Sequence, residues 1–376
     1  MADPTDFVTY FSILPDPRMD RTRKHRLIDI LFIAVCTLIC GGESFTDMEW
    51  FGEAKEEWRR RFLELPHGIP SHDTFGRVFS LLDPQAFGEC FLRWSAALQE
   101  ATQGEVIALD GKRMRHSFDS ATGQSALHLV SAWASENGIT LGQLKVDGKS
   151  NEITALPELL KRLDVAGCVV TMDAMGCQKD LAGQVKQQGG DYVLCLKGNQ
   201  NSRHEETRYF FEEAKRMQFQ DVPYRYHQTV EKDHGRIETR RVWMVEEIAI
   251  TWLARDDQWP GLASLAMVEA ERQIGKKKTK ETRYFISSLT GNVQQLAAAA
   301  RAHWGIENSL HWVLDVIMNE DQSRVRKDHA PQNLALLRRL ARNLIKKAKA
   351  PKRSVRGSIK RAGWDNSFLE AILVGG

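Results

Sequence analysis

Two apolar segments of the chain each end in an aspartate, and this pairing is the first sign of chemistry in the sequence. EVIALDGKR breaks on Asp110, and CVVTMDAMGCQ breaks on Asp173. In open α/β sheets, ligands bind at the carboxyl ends of strands, where side chains leave the core. Either aspartate alone is better explained by a turn or a helix cap, since Asp-Gly is a common turn pair. Together, on neighbouring strands, they favour a shared site.

A divalent cation is the simplest way to hold two such carboxylates close together. Adjacent carboxylates repel, so one takes up a proton unless a cation lies between them. Mg²⁺ is the natural choice, because it prefers oxygen ligands and completes its coordination with water and phosphate oxygens. A third acid would hold a second ion. In AHWGIENSLHWVLDVIMNED, the residues Glu307, His311 and Asp315 recur every four positions beside an apolar stripe. Spacing leaves Glu307, Asp315 and a merely solvated helix face all open.

The elements that would position these residues change in character along the chain. Residues 1–100 have helical periodicity, including the 14-residue apolar segment LIDILFIAVCTLIC. From residue 104 the pattern predicts three strands, a helix, a strand, a helix and a strand, with a hairpin turn at Asn137-Gly138. Strands joined by a helix should be parallel. Between residues 201 and 292 the pattern is irregular but contains strand-like pieces, and helical periodicity then returns.

Composition and charge exclude several classes of protein. With 42% hydrophobic and 27% charged residues the chain is typical of a globular protein, and its net charge is only +3. The charge is uneven, since residues 330–364 contain eleven Lys or Arg and no Asp or Glu. This basic stretch favours binding to phosphates. The longest apolar segment is shorter than the roughly 20 residues that span a bilayer.

Known local motifs point away from other activities. The six cysteines have no spacing that suits zinc, and they predict a reducing compartment without disulfides. The sequence has no GxGxxG, no GxxxxGK[ST] and no pattern of a Ser/His/Asp hydrolase. Nucleotide-driven and serine-hydrolase functions are therefore disfavoured.

Several segments resemble one family of enzymes. They are ALDGKRMRHSFD, KSNEITALPELL, TMDAMGCQKD, DYVLCLKGNQ and HWGIENSLHWVLDVIMNEDQSRVR. In this order they resemble the insertion-sequence transposases that include the H-repeat-associated proteins, within the DDE superfamily. The similarity covers nearly the whole chain, because DPRMDRTRKHRLIDILFIAVCTLICGG and GIPSHDTFGRVF also match the N-terminal region of the family.

The resemblance implies an α/β fold with an RNase H-like core, in which a mixed sheet with flanking helices is interrupted by a β-rich insertion. An N-terminal helical domain, residues 1–100, would bind DNA ends or mediate dimerisation. The core would comprise residues 101–201 and 291–345, the second part carrying the glutamate helix. The insertion would span residues 202–290, and residues 346–376 would form a basic C-terminal segment.

The resemblance also implies a function. The chain would be a DNA transposase that cuts insertion-sequence ends and transfers strands into target DNA by a two-metal mechanism. The triad and metal ligands would be Asp110, Asp173 and Glu307, with Mg²⁺ as the cofactor and Mn²⁺ as a substitute. Its partners would be double-stranded DNA, as terminal inverted repeats and target, and at least one further copy of itself. We expect no membrane association and a location in the bacterial cytoplasm, at the nucleoid.

Candidate DNA contacts follow from the position of basic and amide residues near these motifs and in the basic stretch. They are Lys112, Arg113, Lys179, Lys197, Asn199, Arg301, Arg324, Arg326, Lys346, Lys347 and Arg353. One departure from the family concerns three positions around the glutamate, where related transposases often carry Tyr, Arg and Lys. This chain has Ala300, His303 and Leu314 there.

Two alternatives to an active transposase stay open at this point. One is a catalytically inactive or domesticated DNA-binding relic of a mobile element, although all three candidate acids are present. The other is a different RNase H-like nuclease. The span of 134 positions from Asp173 to Glu307 favours the transposase, because a compact nuclease would not need so long an insertion.

Overall fold

The computed structural model divides the chain into two compact units. It describes residues 7–98, 104–118, 123, 125–146, 152–173, 176–197, 201–233, 235–246, 259–348 and 353–374. Unit 1 comprises Met1–Ala101, Gly111–Asn151 and Glu307–Gly376, and unit 2 comprises Thr102–Asp110 and Glu152–Ile306. The boundary after Asp110 falls within a strand, so the chain passes directly from one unit into the other there.

Unit 2 is built around a mixed sheet. Its strands are β1 (Val106–Arg113, which continues into unit 1), β4 (Val169–Met172), β5 (Asp191–Leu196), β6 (Arg225–Asp233), β7 (Arg236–Glu246), β8 (Ser264–Ile274) and β9 (Lys277–Ser287). They follow the order β1-β4-β5-β9-β8-β7-β6. β1, β4 and β5 are parallel, and the later strands are antiparallel. The apolar runs VIAL, VVTM and DYVLCL suit parallel strands that are covered on both faces.

Within the described residues of unit 2, the helices are α7 (Glu152–Leu160), α8 (Lys179–Gln187), α9 (Asn201–Arg216) and α10 (Val293–Gly305). α10 buries Val293, Leu296 and Ala299 in one cluster with Val106 and Val169 of the parallel strands. The predicted alternation of helices with parallel strands is therefore confirmed in this unit, and α10 covers the strands that carry the two aspartates.

The inserted stretch is only partly as the sequence predicted. The strand-like pieces RIETRRVWMV, SLAMVEAERQI and TRYFISSL form β7, β8 and the end of β9. The helix α9 was not predicted, because two of the four positions on its buried face are polar. That face consists of Arg203, Thr207, Phe211 and Ala214, whose spacing is helical but whose apolar signal is weak. β9 pairs with β5, so the inserted strands extend the core sheet.

Unit 1 combines helices with a hairpin. Its helices are α1 (Phe7–Phe11), α2 (Leu27–Ile39), α3 (Phe45–Ala54), α4 (Glu56–Arg59), α5 (His72–Leu81), α6 (Pro84–Leu98), α11 (Trp312–Val316), α12 (Ala330–Lys347), α13 (Val355–Trp364) and α14 (Asn366–Leu373). β2 (His128–Ala134) and β3 (Ile139–Lys145) form the predicted antiparallel hairpin. Its turn contains Asn137-Gly138, where Gly138 has a φ of +65° that favours glycine.

The C-terminal helix α12 lies at the centre of unit 1. It packs against α2, α5, α6 and β3, and it buries Leu334, Leu337, Leu340 and Leu344. The segment beyond it is not one basic tail, because α13 and α14 bury Ile359, Phe368, Leu369 and other apolar side chains. In the described part of the chain all six cysteines are free thiols. No helix there has the length and apolarity to cross a bilayer.

Candidate active site

Asp110 and Asp173 lie at the carboxyl ends of adjacent parallel strands. Leu109 of β1 is the partner of Met172 of β4 in the parallel register. An aspartate follows each of them, Asp110 still within β1 and Asp173 directly after the end of β4. Continuing the register by one residue puts the two aspartates opposite each other, at the inter-strand spacing of about 4.8 Å. Both side chains are half-buried. Two carboxylates in this arrangement suit a divalent cation, whose charge would offset their repulsion.

The helix α10 runs in the same direction as these strands. A Cβ placed on Gly104, just before β1, would lie 3.6 Å from Nε2 of Gln295 in the first turn of the helix. At the other end, Nδ1 of His303 lies 3.2 Å from Oγ1 of Thr171, two residues before Asp173. The C-terminal end of α10 therefore reaches the carboxyl ends of β1 and β4.

The three positions at which related transposases often carry Tyr, Arg and Lys are buried in this protein. Ala300 and His303 are 6% and 7% exposed, and Leu314 is fully buried. His303 contacts Thr171 in the core, so it is occupied by packing and hydrogen bonding within the protein. None of the three side chains is presented to a ligand in solution.

Glu307 occupies an unusual turn of helix. Residues Ile306–His311 form a π-helical turn between α10 and α11, and such turns are frequent at functional sites. Oε2 of Glu307 accepts a hydrogen bond from Nδ1 of His311 at 3.1 Å. This bond lowers the pKa of Glu307, against the opposing effect of desolvation and with help from the charge of Lys112. The Glu307 side chain is 61% exposed, whereas His311 is 5% exposed, so a buried residue orients an exposed carboxylate.

Three acidic residues of unit 1 surround Lys112. The lysine side chain is 7% exposed, and its Nζ lies 2.6 Å from Asp315, 3.3 Å from Asp321 and 4.0 Å from Glu320. Burial raises the pKa of Asp315, and the bond to Lys112 opposes that shift. In this structure the ammonium of Lys112 faces carboxylates, so its predicted contact with a DNA phosphate gains no support and stays a prediction.

The other residues predicted to contact DNA differ in how exposed their side chains are. Arg113, Lys197, Arg301, Arg324, Lys346 and Arg353 are exposed, whereas Lys179, Arg326 and Lys347 are half-buried. Arg301 lies 3.4 Å from Glu231, Arg326 packs over the ring of Phe118, and Lys347 donates to Asn137. Asn199 lies outside the described residues.

The prediction that the basic stretch at residues 330–364 binds phosphates is wrong for three of its cations. Three of its eleven cations, Arg338, Arg339 and Arg342, are at most 3% exposed. Arg339 forms an ion pair with Glu320 at 2.8 Å. Arg342 donates to the backbone carbonyls of Ser309 and Gly138 and packs over Trp133 at 4.3 Å. These cations stabilise unit 1 and do not face a polyanion.

A lysine-rich run that was not among the predicted DNA contacts, GKKKTK at residues 275–280, is exposed at the turn between β8 and β9. The signal was the local density of lysines next to a glycine. It was missed because the formal charge was summed over longer stretches of the chain.

Comparisons with known proteins identify the family of the chain. The family described as "Transposase DDE domain" matches residues 101–344, and the family described as "DDE_Tnp_1-associated" matches residues 8–95. "Putative transposase YncI" of Escherichia coli O157:H7 is 41% identical over 368 residues, covering 97% of this chain and 93% of that protein. "H repeat-associated putative transposase YhhI" of Escherichia coli K12 is 37% identical over 370 residues, covering 97% of each.

One solved structure is similar over much of its length. It is a piggyBac transposase synaptic complex with hairpin DNA, with 12% identity, a TM-score of 0.45, and coverage of 97% of this chain and 77% of that one. That TM-score is too low to establish a shared fold. The family match covers more than half of the sequence, and the sequence relatives cover nearly all of it, so the chain belongs to the DDE transposase family.

Proposed function

We propose that this protein cuts the ends of an insertion sequence and joins them to target DNA, using Mg²⁺ held by Asp110, Asp173 and Glu307. The observation that carries the proposal is the in-register pairing of β1 with β4. It supports a metal site because it brings two half-buried carboxylates next to each other at the carboxyl edge of a parallel sheet. The RNase H-like description of the core is part of the same proposal.

The direction of α10 supports Glu307 as the third ligand. From Gln295, beside Gly104, to Glu307 there are twelve residues, or about 18 Å of helix. From Gly104 to Asp110 there are six residues, or about 20 Å of strand. Because helix and strand start together and run in parallel, these similar lengths favour convergence of Glu307 with the aspartates.

Asp315 is the weaker candidate for the third ligand. Its carboxylate already binds Lys112 at 2.6 Å, in a group where Asp321 shares the same ammonium. A metal at Asp315 would have to displace that cation. The carboxylate of Glu307 is hydrogen-bonded to His311, and its side chain is mostly exposed. The exposed glutamate is therefore better suited to meet an ion and a substrate.

The reaction follows from these roles. Bound Mg²⁺ would activate water and offset charge on the scissile phosphate. The three carboxylates would hold the ions, and His311 would keep Glu307 ionised and oriented. Cleavage adds water to the phosphorus and breaks its bond to the 3′ oxygen, which leaves as a hydroxyl. In joining, that hydroxyl attacks a target phosphate and displaces the target's 3′ oxygen. No covalent bond to the protein is needed.

The remaining assignments belong to the same proposal. Exposed cations such as Lys197, Arg301, Arg324 and Arg353 would bind phosphates of terminal repeats and target DNA. Two element ends must be brought together, so the active form would contain at least two copies. Mn²⁺ would replace Mg²⁺, and the protein would act at the nucleoid.

The test is a cleavage assay on duplexes that carry the ends of the element, with Mg²⁺ present. We expect nicks with 3′-hydroxyls at the element boundary from the native protein. Asp110→Asn, Asp173→Asn and Glu307→Gln should each lower the rate at least about 100-fold while binding to the duplex survives. Asp315→Asn is the matched control, and it should keep most of the activity.

Other outcomes of this assay would redirect the proposal. Normal cleavage by Asp173→Asn would overturn the metal site. Loss of cleavage in Asp315→Asn but not in Glu307→Gln would mean that Asp315, and not Glu307, is the third metal ligand. An inactive DNA-binding relic is the second candidate, because "Inactive transposase YbfQ" of Escherichia coli K12 is 39% identical over 71 residues, which is 19% of this chain. Binding without any nick from the native protein would favour it.

A further inference from the structure

The turn between β8 and β9, in unit 2, carries a cluster of exposed positive charge. Residues 272–280, which we call the lysine hairpin, contain Arg272, Lys276, Lys277, Lys278 and Lys280 and no acid. The two turn residues are Gly275, with a φ of +57°, and Lys276. All four lysines are exposed.

Only part of this charge is neutralised within the protein. Lys278 lies 3.3 Å from Glu271, and Lys280 lies 3.2 Å from Glu269. Among the residues that the structure describes, Lys276 and Lys277 form no ion pair. The two lysines are neighbours in the chain, and like charges this close together repel each other, so a negatively charged partner would relieve that repulsion. Their charge is available to a partner.

The pairing of strands fixes the edge of the sheet from which the lysine hairpin projects. Met172 is the partner of Leu194 on β5, so Asp173 is level with Cys195, which is the partner of Phe285 on β9. β9 runs antiparallel to β5, and its earlier residues extend past the end of β5 at Leu196. The hairpin therefore extends from the carboxyl edge, the same edge that carries Asp110 and Asp173.

The reach of the hairpin matches a length of DNA. From Phe285 to Lys277 there are eight residues, or about 26 Å of extended strand. That distance corresponds to about eight base pairs of duplex at ~3.4 Å each. A duplex whose scissile phosphate lay at the carboxyl edge could therefore also meet the lysine hairpin.

We propose that the lysine hairpin is a binding site for the phosphate backbone of duplex DNA, with Lys276 and Lys277 as its principal contacts. This inference rests on the proposed function for its choice of partner. Lysine provides a point charge without the planar fork that reads guanine edges, so the contact positions the duplex without selecting its sequence. It adds a clamp at a distance from the site of chemistry.

The test measures binding of the full-length protein to a 40-base-pair duplex of random sequence, without divalent metal, across a range of salt concentrations. Each phosphate contact contributes about 0.9 to the slope of log affinity against log salt. Lys276→Gln with Lys277→Gln should make the slope shallower by about 1.8 and weaken binding roughly 60-fold at 0.1 M salt. Lys276→Arg with Lys277→Arg should restore both.

The matched control is Lys161→Gln with Arg162→Gln, an adjacent exposed pair after α7 that removes the same charge. It should leave the slope near that of the native protein. An equal effect of both pairs would overturn the inference, as would native protein that does not bind the duplex. Unchanged binding by the glutamine variant would do the same and would redirect the search to an acidic protein. Because no cleavage is measured, failure of the proposed enzyme activity is a separate result.

Discussion

The helix α12 and the lysine hairpin are both strongly basic, yet they present their charges in opposite ways. In α12, Arg338, Arg339 and Arg342 are buried. In the hairpin, Lys276 and Lys277 are exposed. α12 is surrounded by α2, α5, α6 and β3 within its unit, whereas the hairpin turn extends beyond the end of its neighbour β5. The density of charge along a sequence therefore does not tell which charges belong to the fold and which to a partner.

The type of basic residue follows this division. Arg342 donates to two backbone carbonyls and packs over an indole, contacts that suit a planar guanidinium with several donors. The hairpin uses lysine, a compact and strongly hydrated charge that is costly to bury. In this protein the buried arginines of α12 therefore contribute to the fold, whereas the exposed lysines of the hairpin are candidates for binding a partner.

The largest expected effect is on the stability of α12. Glu320→Ala would leave the guanidinium of Arg339 buried without its carboxylate, since both side chains have no exposure. We expect the free energy of unfolding to fall by about 3–5 kcal/mol in urea denaturation. Glu205→Ala is the control, because it removes an exposed partner of Arg208, and it should lower the free energy of unfolding far less than Glu320→Ala does. Equal losses would mean that burial of the Arg339–Glu320 pair does not make it more important to stability than an exposed ion pair.

A smaller effect on stability separates burial from DNA binding. Arg342→Met would leave the carbonyls of Ser309 and Gly138 without this donor, at a cost of about 2–4 kcal/mol in the free energy of unfolding. The salt dependence of DNA binding should not change, since the guanidinium does not face solvent. A shallower salt slope, measured as for the lysine hairpin, would show that α12 also contacts DNA.

The smallest expected effect concerns Glu307, an exposed carboxylate whose hydrogen-bonding partner His311 is buried. The bond from His311 lowers the pKa of this exposed carboxylate. A lowered carboxyl pKa gives a contribution to stability that is present above the unfolded value and is lost as pH falls through the folded value. His311→Ala should raise the pKa of Glu307 toward its ordinary value, so protonation would begin at a higher pH. Carboxyl carbon NMR titration measures this directly.

His329→Ala is the control for that titration, because His329 is an exposed histidine outside the π-helical turn. The pKa of Glu307 should be the same in this variant as in the native protein. An unchanged pKa in His311→Ala would mean that the hydrogen bond does not tune the carboxylate, and His311 would then lose its positioning role.

The strands and their aspartates could be predicted because their signals are local. VIALD and CVVTMD are continuous apolar runs that end in a charge, and the Asn137-Gly138 pair specifies a turn by its backbone preference. The helix α2 could be predicted equally well, since nearly all of its residues are apolar. In each case the residues that define the element are adjacent, so no knowledge of distant contacts was needed.

The helix α9 and the buried arginines could not be predicted because their environment is set by distant residues. Arg203 and Thr207 occupy the buried face of α9, and polar residues there erase the apolar periodicity. Arg339 is stabilised by Glu320, nineteen residues away, and Arg342 by Gly138, more than two hundred residues away. Such partners exist only after the chain has folded.

The sequence by itself determined the family, the strand-end aspartates and a short choice of third acids, because these depend on residue type and local order. The tertiary structure decided what the charges do. Strand register brought Asp110 opposite Asp173, an ion pair committed Asp315 to Lys112, and packing withdrew three arginines from solvent. The physical reason is that the free energy of a charge depends on its solvation and its partners, and both are set by residues far away in the chain.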